Sequence, residues 1–179
     1  MDLKRLEKNL CDNILEAQVK LGYDGRPMSL NYTTSSLCHL AGCDSGGAED
    51  MLRTFIREAS PRLGSITFRP VKDGFCLTVP PEGTGYVNSS SDGNEFIRAF
   101  IGLIRSHPTV DEVLGLFRSF SANVSITETD NEEFRYLVYF TDGVPDDYRY
   151  CISAEEEIDG SVHVTYHRFI KEDYEDLGF

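Results

Sequence analysis

Apolar residues recur at spacings of three and four through the first half of the chain, and at a spacing of two through most of its last third. Leu3, Leu6, Leu10, Ile14, Ala17 and Leu21 form one stripe with Gly22 behind it, which predicts an amphipathic helix over 3–21. Asp24-Gly25 predicts a turn, Pro27 blocks helical continuation, and Met28 to Tyr32 alternates as a short strand. Thr34 or Ser35 can cap a short helix carrying Leu37, Leu40 and Ala41, ended by Gly42. Beyond the polar segment Cys43-Asp44-Ser45-Gly46-Gly47, a helix over 48–60 buries Ala48, Leu52, Phe55, Ile56 and Ala59, and Pro61 ends it. Ile66 and Phe68 then alternate outbound and Phe75, Leu77 and Val79 alternate on the return. Asp73-Gly74 predicts a two-residue hairpin turn that pairs Lys72 with Phe75 and Phe68 with Val79.

Residues 80–93 are rich in Gly, Pro, Ser, Thr, Asn and Asp and read as a loop or linker. Asp92 followed by Glu95 resembles a capping box, and the helix after it, Phe96 to Ile104, is apolar nearly all round, which places it centrally in a core. His107-Pro108 stops that helix. Thr109 and Glu112 open the next one, with Val110, Val113, Leu114 and Phe117 inward, so the two form a helical hairpin. Four alternating runs follow: Val124 and Ile126; Phe134, Tyr136, Val138 and Phe140; Tyr148, Tyr150, Ile152 and Ala154; Val162, Val164 and Tyr166. They predict an antiparallel meander with one face buried on the hairpin, and residues 170–177 predict a short terminal helix. The fold class is α+β, with a first unit over 1–83 and a second over 84–179, one shared core remaining open between them.

The order helix, strand, short helix, turn, helix, hairpin over 1–83 resembles a winged helix-turn-helix domain. The resemblance is carried by Leu37-Cys38-His39-Leu40-Ala41-Gly42 leading to Leu52-Arg53-Thr54-Phe55-Ile56. It implies a second paired helix able to enter a major groove and a hairpin able to touch the phosphate backbone. Over its full length the chain is similar to an uncharacterised bacterial family of unknown function, through Leu6-Glu7-Lys8-Asn9-Leu10, Leu21-Gly22-Tyr23 and Gly74-Phe75-Cys76-Leu77-Thr78-Val79. These segments are structural, so that resemblance brings no activity and no site residues.

Charge narrows the functional classes. The formal net charge is −13, which disfavours general nucleic-acid binding and repels anionic membrane surfaces. Residues 1–83 carry 10 Lys+Arg against 11 Asp+Glu, whereas 84–179 carry 7 against 19. The excess acid falls in the connections of the meander, where it blunts sheet edges. No apolar run is long enough to span a bilayer and no signal peptide is visible. Five cysteines with no CxxC pair imply no disulfide framework, and reduced thiols place the chain in the cytoplasm.

Candidate chemistry is sparse. Arg53, Arg57 and Lys72 are the residues that would meet nucleic acid. Glu49 precedes Arg53 by four residues, though, and pairs with it on a solvated face. The polar face of the meander presents Arg135, Leu137 and Tyr139, then Arg149, Cys151 and Ser153, then His163, Thr165 and His167. A three-residue loop at Ile158-Asp159-Gly160, with Gly160 left-handed, keeps the apolar sets on one face and places Glu155 opposite His163 and Cys151 opposite His167. Two histidines four apart on a strand stand about 13 Å from each other, too far for one metal ion. A Cys151–His167 nucleophilic pair lacks a visible orienting group and oxyanion hole. Arg135, Tyr139, Arg149, His163 and His167 remain as a candidate pocket for a small anionic or polar ligand, against a half-solvated face whose side chains merely cover apolar surface. The sequence reading therefore leads with a non-catalytic interaction or regulatory module that binds a protein partner, with no cofactor or metal. A ligand-binding regulator and a weak DNA binder are the alternatives.

Overall fold

The computed structural model describes residues 1–90, 93–156 and 158–178. The chain divides into two compact units, Met1–Gly93 and Asn94–Phe179.

The first unit runs α1 (Leu3–Leu21), β1 (Met28–Thr33), α2 (Thr34–Ala41), a 3₁₀ turn (Ser45–Gly47), α3 (Ala48–Leu63), β2 (Thr67–Val71), β3 (Gly74–Val79) and α4 (Pro81–Ser89). Asp2 caps α1, its carboxylate accepting from Arg5 N–H at 3.0 Å. The buried arc of α1 contains Leu6, Leu10, Ile14 and Leu15, but also Asn9, Asp12 and Gln18, while Leu21 is exposed. The polar members have partners. Asn9 Oδ1 accepts from the Tyr32 hydroxyl and from Asn13 Nδ2, each at 3.0 Å, and Gln18 Nε2 donates to Thr84 O at 2.8 Å. These contacts explain why the predicted stripe drifts, since polar groups are tolerated inside once they are paired.

α3 continues past Pro61, contrary to the stop expected there. Proline removes one bond of the helix ladder, yet Leu63 is fully buried and Arg62 grips Glu7 in a two-point ion pair. Those tertiary contacts carry the last turn to Gly64, whose N–H bonds Ser60 O at 3.0 Å. The three-stranded sheet has the order β1-β3-β2, all antiparallel. The hairpin register differs from the expected one. Val71 pairs with Gly74 and Phe68 with Leu77, so Lys72-Asp73 form the turn. Each partner has moved by two positions, which leaves every side chain on its expected face. The glycine serves another purpose. A Cβ on Gly74 would run into the carbonyl oxygen of Tyr32, so the residue is there to let β1 approach. The linker expected over 80–93 instead contains α4, which starts on Pro81 as its first residue.

The second unit runs α5 (Glu95–Ile104), α6 (Val110–Phe120), β4 (Val124–Glu128), β5 (Tyr136–Phe140), β6 (Arg149–Glu156), β7 (Val162–Phe169) and α7 (Lys171–Asp176). Asn94 caps α5 by accepting from Ile97 N–H at 3.2 Å; Asp92, the cap read from the sequence, lies outside the described residues. α5 buries one face, Phe96, Ile97, Phe100 and Ile101, and leaves Gly102 exposed, so it is not enclosed all round. The Thr109–Glu112 capping box is formed in both directions. The sheet is the expected meander, β4-β5-β6-β7. Its inner face meets the helical hairpin in an aromatic core where Phe96 lies 4.8 Å from Phe117 and 5.0 Å from Phe140, and Phe100 lies 4.7 Å from Tyr166, all ring to ring. Such tilted and edge-on pairs contribute beyond the area they bury. The architecture is α+β.

Candidate functional site

The β6–β7 hairpin has the register derived from the alternation: Cys151 faces His167 and Glu155 faces His163. Gly160 has the positive φ the loop requires, 81°. The outer face of the four-stranded sheet therefore presents the expected residues, but they fall into four separate groups. Arg149 and Tyr139 meet directly, the guanidinium lying 4.0 Å from the ring centroid. Arg135 lies just before β5 and is turned to β4, its Nε donating to Glu128 Oε1 at 2.9 Å. His163 approaches His107 of the α5–α6 connection, with ring centroids 5.7 Å apart, while His167 lies over Phe169 at 6.2 Å.

The terminal helix α7 alters this face. Tyr174 lies close enough to Cys151, Arg149 and Tyr139 to interact with each electrostatically, and its ring is 6.4 Å from that of Phe134. Phe134 is buried, as the alternation expected, though it lies just outside β5. Burial, then the nearby Cys151, raises the Tyr174 pKa. Cys151 is only 2% exposed, and desolvation pushes its thiol up to about 11. Burial thus disfavours the thiolate, the form that attacks, and the pairing of Cys151 with His167 on the strands adds no orienting group. The face is thus partly covered, not half-solvated along its whole length. Among the described residues no group of three or more His, Cys, Asp or Glu side chains is arranged to hold a metal ion.

In the first unit, Arg53 and Arg57 project from α3, and Lys72 lies in the β2–β3 turn, all three exposed. Arg53 donates to Glu49 Oε1 at 2.6 Å and lies 5.5 Å from the Phe68 ring centroid. Glu49 and Asp50 occupy the first turn of α3, where carboxylates favour the positive end of the helix dipole. Arg53 is therefore paired within its own helix.

A buried polar cluster is one that pattern reading missed. Asp146, 1% exposed, accepts from Asn94 Nδ2 at 3.0 Å and from the Tyr150 hydroxyl at 2.8 Å on one oxygen, and from Tyr148 N–H at 3.3 Å on the other. Arg168, opposite Tyr150 on β7, lies over the Tyr148 ring at 4.2 Å. Asp146 sits among the acids of an exposed-looking loop, and only its even spacing, two residues before Tyr148 and four before Tyr150, hints that it turns inward. This cluster ties the cap of α5 to the start of β6, a structural role.

Comparisons with known proteins add one finding. The family described as "Domain of unknown function, E. rectale Gene description (DUF3877)" matches residues 3–178. No curated protein and no solved structure matches the chain. No helix among the described residues is long and apolar enough to cross a membrane.

Proposed function

We propose that this chain, which belongs to the DUF3877 family of domains of unknown function, is a non-catalytic interaction module of the cytoplasm. Its first unit would contact a protein partner through the exposed face of α3 and the β2–β3 hairpin. The observation that carries this reading is the pairing of Arg53 with Glu49 at 2.6 Å. The element order and the β1-β3-β2 sheet support a winged-helix-like arrangement, and in DNA-binding domains of that kind the second helix supplies cations to phosphates. Here that helix neutralises its own cation, and the surrounding face carries acids as well. A surface of interspersed charges around an aromatic ring, Phe68, suits a protein contact better than a polyanion.

Dispersal of the polar sheet face supports the non-catalytic part of the reading. Arg135, His163 and His167 engage different neighbours, and Tyr174 lies close to the Arg149–Tyr139 pair. A photo-crosslinking residue at Arg57, activated in cells that express the full chain, tests the proposal. A discrete protein adduct that disappears when Arg53 and Phe68 are both replaced by alanine is expected. A nucleic-acid adduct, or no adduct, overturns it.

A further inference from the structure

α2 ends in a turn that brings two cysteines together. Gly42 has φ 65° in the left-handed region, and the Cys38 carbonyl accepts from both Gly42 N–H at 2.8 Å and Cys43 N–H at 3.2 Å. In a helix ending of this kind the residue that accepts and the residue beyond the glycine pack their side chains against each other, usually as an apolar contact. Here both are cysteines, half-buried free thiols whose sulfurs lie 3.4 Å apart. The backbone around them is held from outside the turn. Asp2 N–H donates to Ala41 O at 2.7 Å, Arg5 Nη1 to His39 O at 3.3 Å, and the Asp44 carboxylate accepts from Gly47 N–H at 2.8 Å. Main-chain geometry therefore sets the contact between the two sulfurs.

We propose that Cys38 and Cys43 are a redox-modification site, a dithiol that a small-molecule disulfide oxidises to an intramolecular disulfide across the turn between α2 and α3. This stands apart from the reading of the α3 face. The chemistry balances as thiol–disulfide exchange. The Cys43 thiolate attacks the small disulfide, forming a mixed disulfide and releasing one small thiolate. The Cys38 sulfur, once deprotonated, attacks Cys43 Sγ and expels the second. Two protein S–H bonds are lost and one S–S bond forms; the small disulfide is reduced to two thiols, which carry away the two protons. The ring closed is short, so its gain from chain entropy is modest, and the bond depends on the preset geometry. Partial burial and the hydrogen bond with Cys43 push the Cys38 thiol up to about 11, so closure accelerates as pH rises above neutral. Cys11, Cys76 and Cys151 lie on α1, β3 and β6.

The test equilibrates the full chain with oxidised glutathione, blocks remaining thiols by alkylation and maps peptides by mass. The expected result is loss of two of the five alkylatable thiols, with Cys38 and Cys43 in one cross-linked peptide, restored by a thiol reductant. The Cys43→Ser protein should lose this product. Retention of all five thiols with a native circular dichroism spectrum overturns the proposal. So does a glutathione adduct that never closes, since the pair would then be an apolar helix-end contact only. A cross-link from Cys38 to Cys11, Cys76 or Cys151 in the unmutated chain, in place of the one to Cys43, would overturn it as well. The mapping of the unmutated chain decides the matter even where Cys43→Ser does not fold.

Discussion

The Tyr150 hydroxyl donates to the buried Asp146 carboxylate at 2.8 Å, on the same oxygen that receives the Asn94 amide at 3.0 Å. A carboxylate taken out of water is tolerated only while its lone pairs are met by donors. Tyr150→Phe keeps the ring among Phe96, Phe100 and Phe117 but removes one donor. The expected loss is about 1–3 kcal/mol, read from urea unfolding. A change within error would show that Asp146 does not depend on Tyr150.

The same pair governs alkaline stability. Burial first, then the Asp146 charge, holds the Tyr150 pKa well above its ordinary 10.0. The folded state thus keeps a proton that the unfolded chain gives up, and stability falls as pH rises beyond about 10. Below that pH the group contributes no slope. Urea midpoints taken from pH 9 upward should decline more steeply for the wild type than for Tyr150→Phe, in which this phenol is absent. Parallel profiles would contradict the assignment.

The capping box of α6 makes a prediction of opposite sign. Bonds from the Thr109 backbone and then its hydroxyl hold the Glu112 carboxyl below its ordinary 4.5. Its contribution is present above that value and is lost as pH falls through the lower folded one. Glu112→Gln should therefore flatten the acid limb of the stability profile. Thr109→Ala removes the reciprocal acceptor for Glu112 N–H and should cost about 1 kcal/mol at neutral pH. Thermal unfolding at pH 3 and pH 7 separates the two effects.

How much of this was legible depends on whether the deciding contact is local. The β6–β7 register follows from alternation plus one glycine, because a slip by one residue would turn Tyr166 and Val164 out of the core. Thr109 and Glu112 are likewise three residues apart and readable as a cap. The covered sheet face was not readable: Tyr174 reaches Cys151 from a helix at the far end of the chain, and its own segment has too few apolar residues to announce a buried side. Asp146 is hidden for a related reason, since its partner Asn94 is 52 residues away and no periodicity links a loop carboxylate to a helix cap. The sulfur contact was overlooked because Cys38 and Cys43 match no metal or disulfide spacing; its signal is a glycine helix-end with cysteine on both sides.

Two glycines test the close-approach reading by contrast. Gly74 lies where a Cβ would strike the Tyr32 carbonyl oxygen and the Thr33 backbone, and neither can yield without opening the β1–β3 pairing. Gly102 lies in the interior of α5, exposed, with nothing within 4 Å of an added methyl and no positive φ. Gly74→Ala should destabilise the first unit by about 1–3 kcal/mol, the usual range for forced overpacking. Gly102→Ala should stabilise the second by about 0.5–1 kcal/mol, because alanine loses less backbone freedom in a helix. Hydrogen exchange resolved by segment assigns each effect to its unit: faster exchange over β1 and β3 for the first variant, slower exchange over α5 for the second. Equal and small effects would mean that Gly74 is present for its turn propensity, and the shifted register of β2 and β3 would then need another cause.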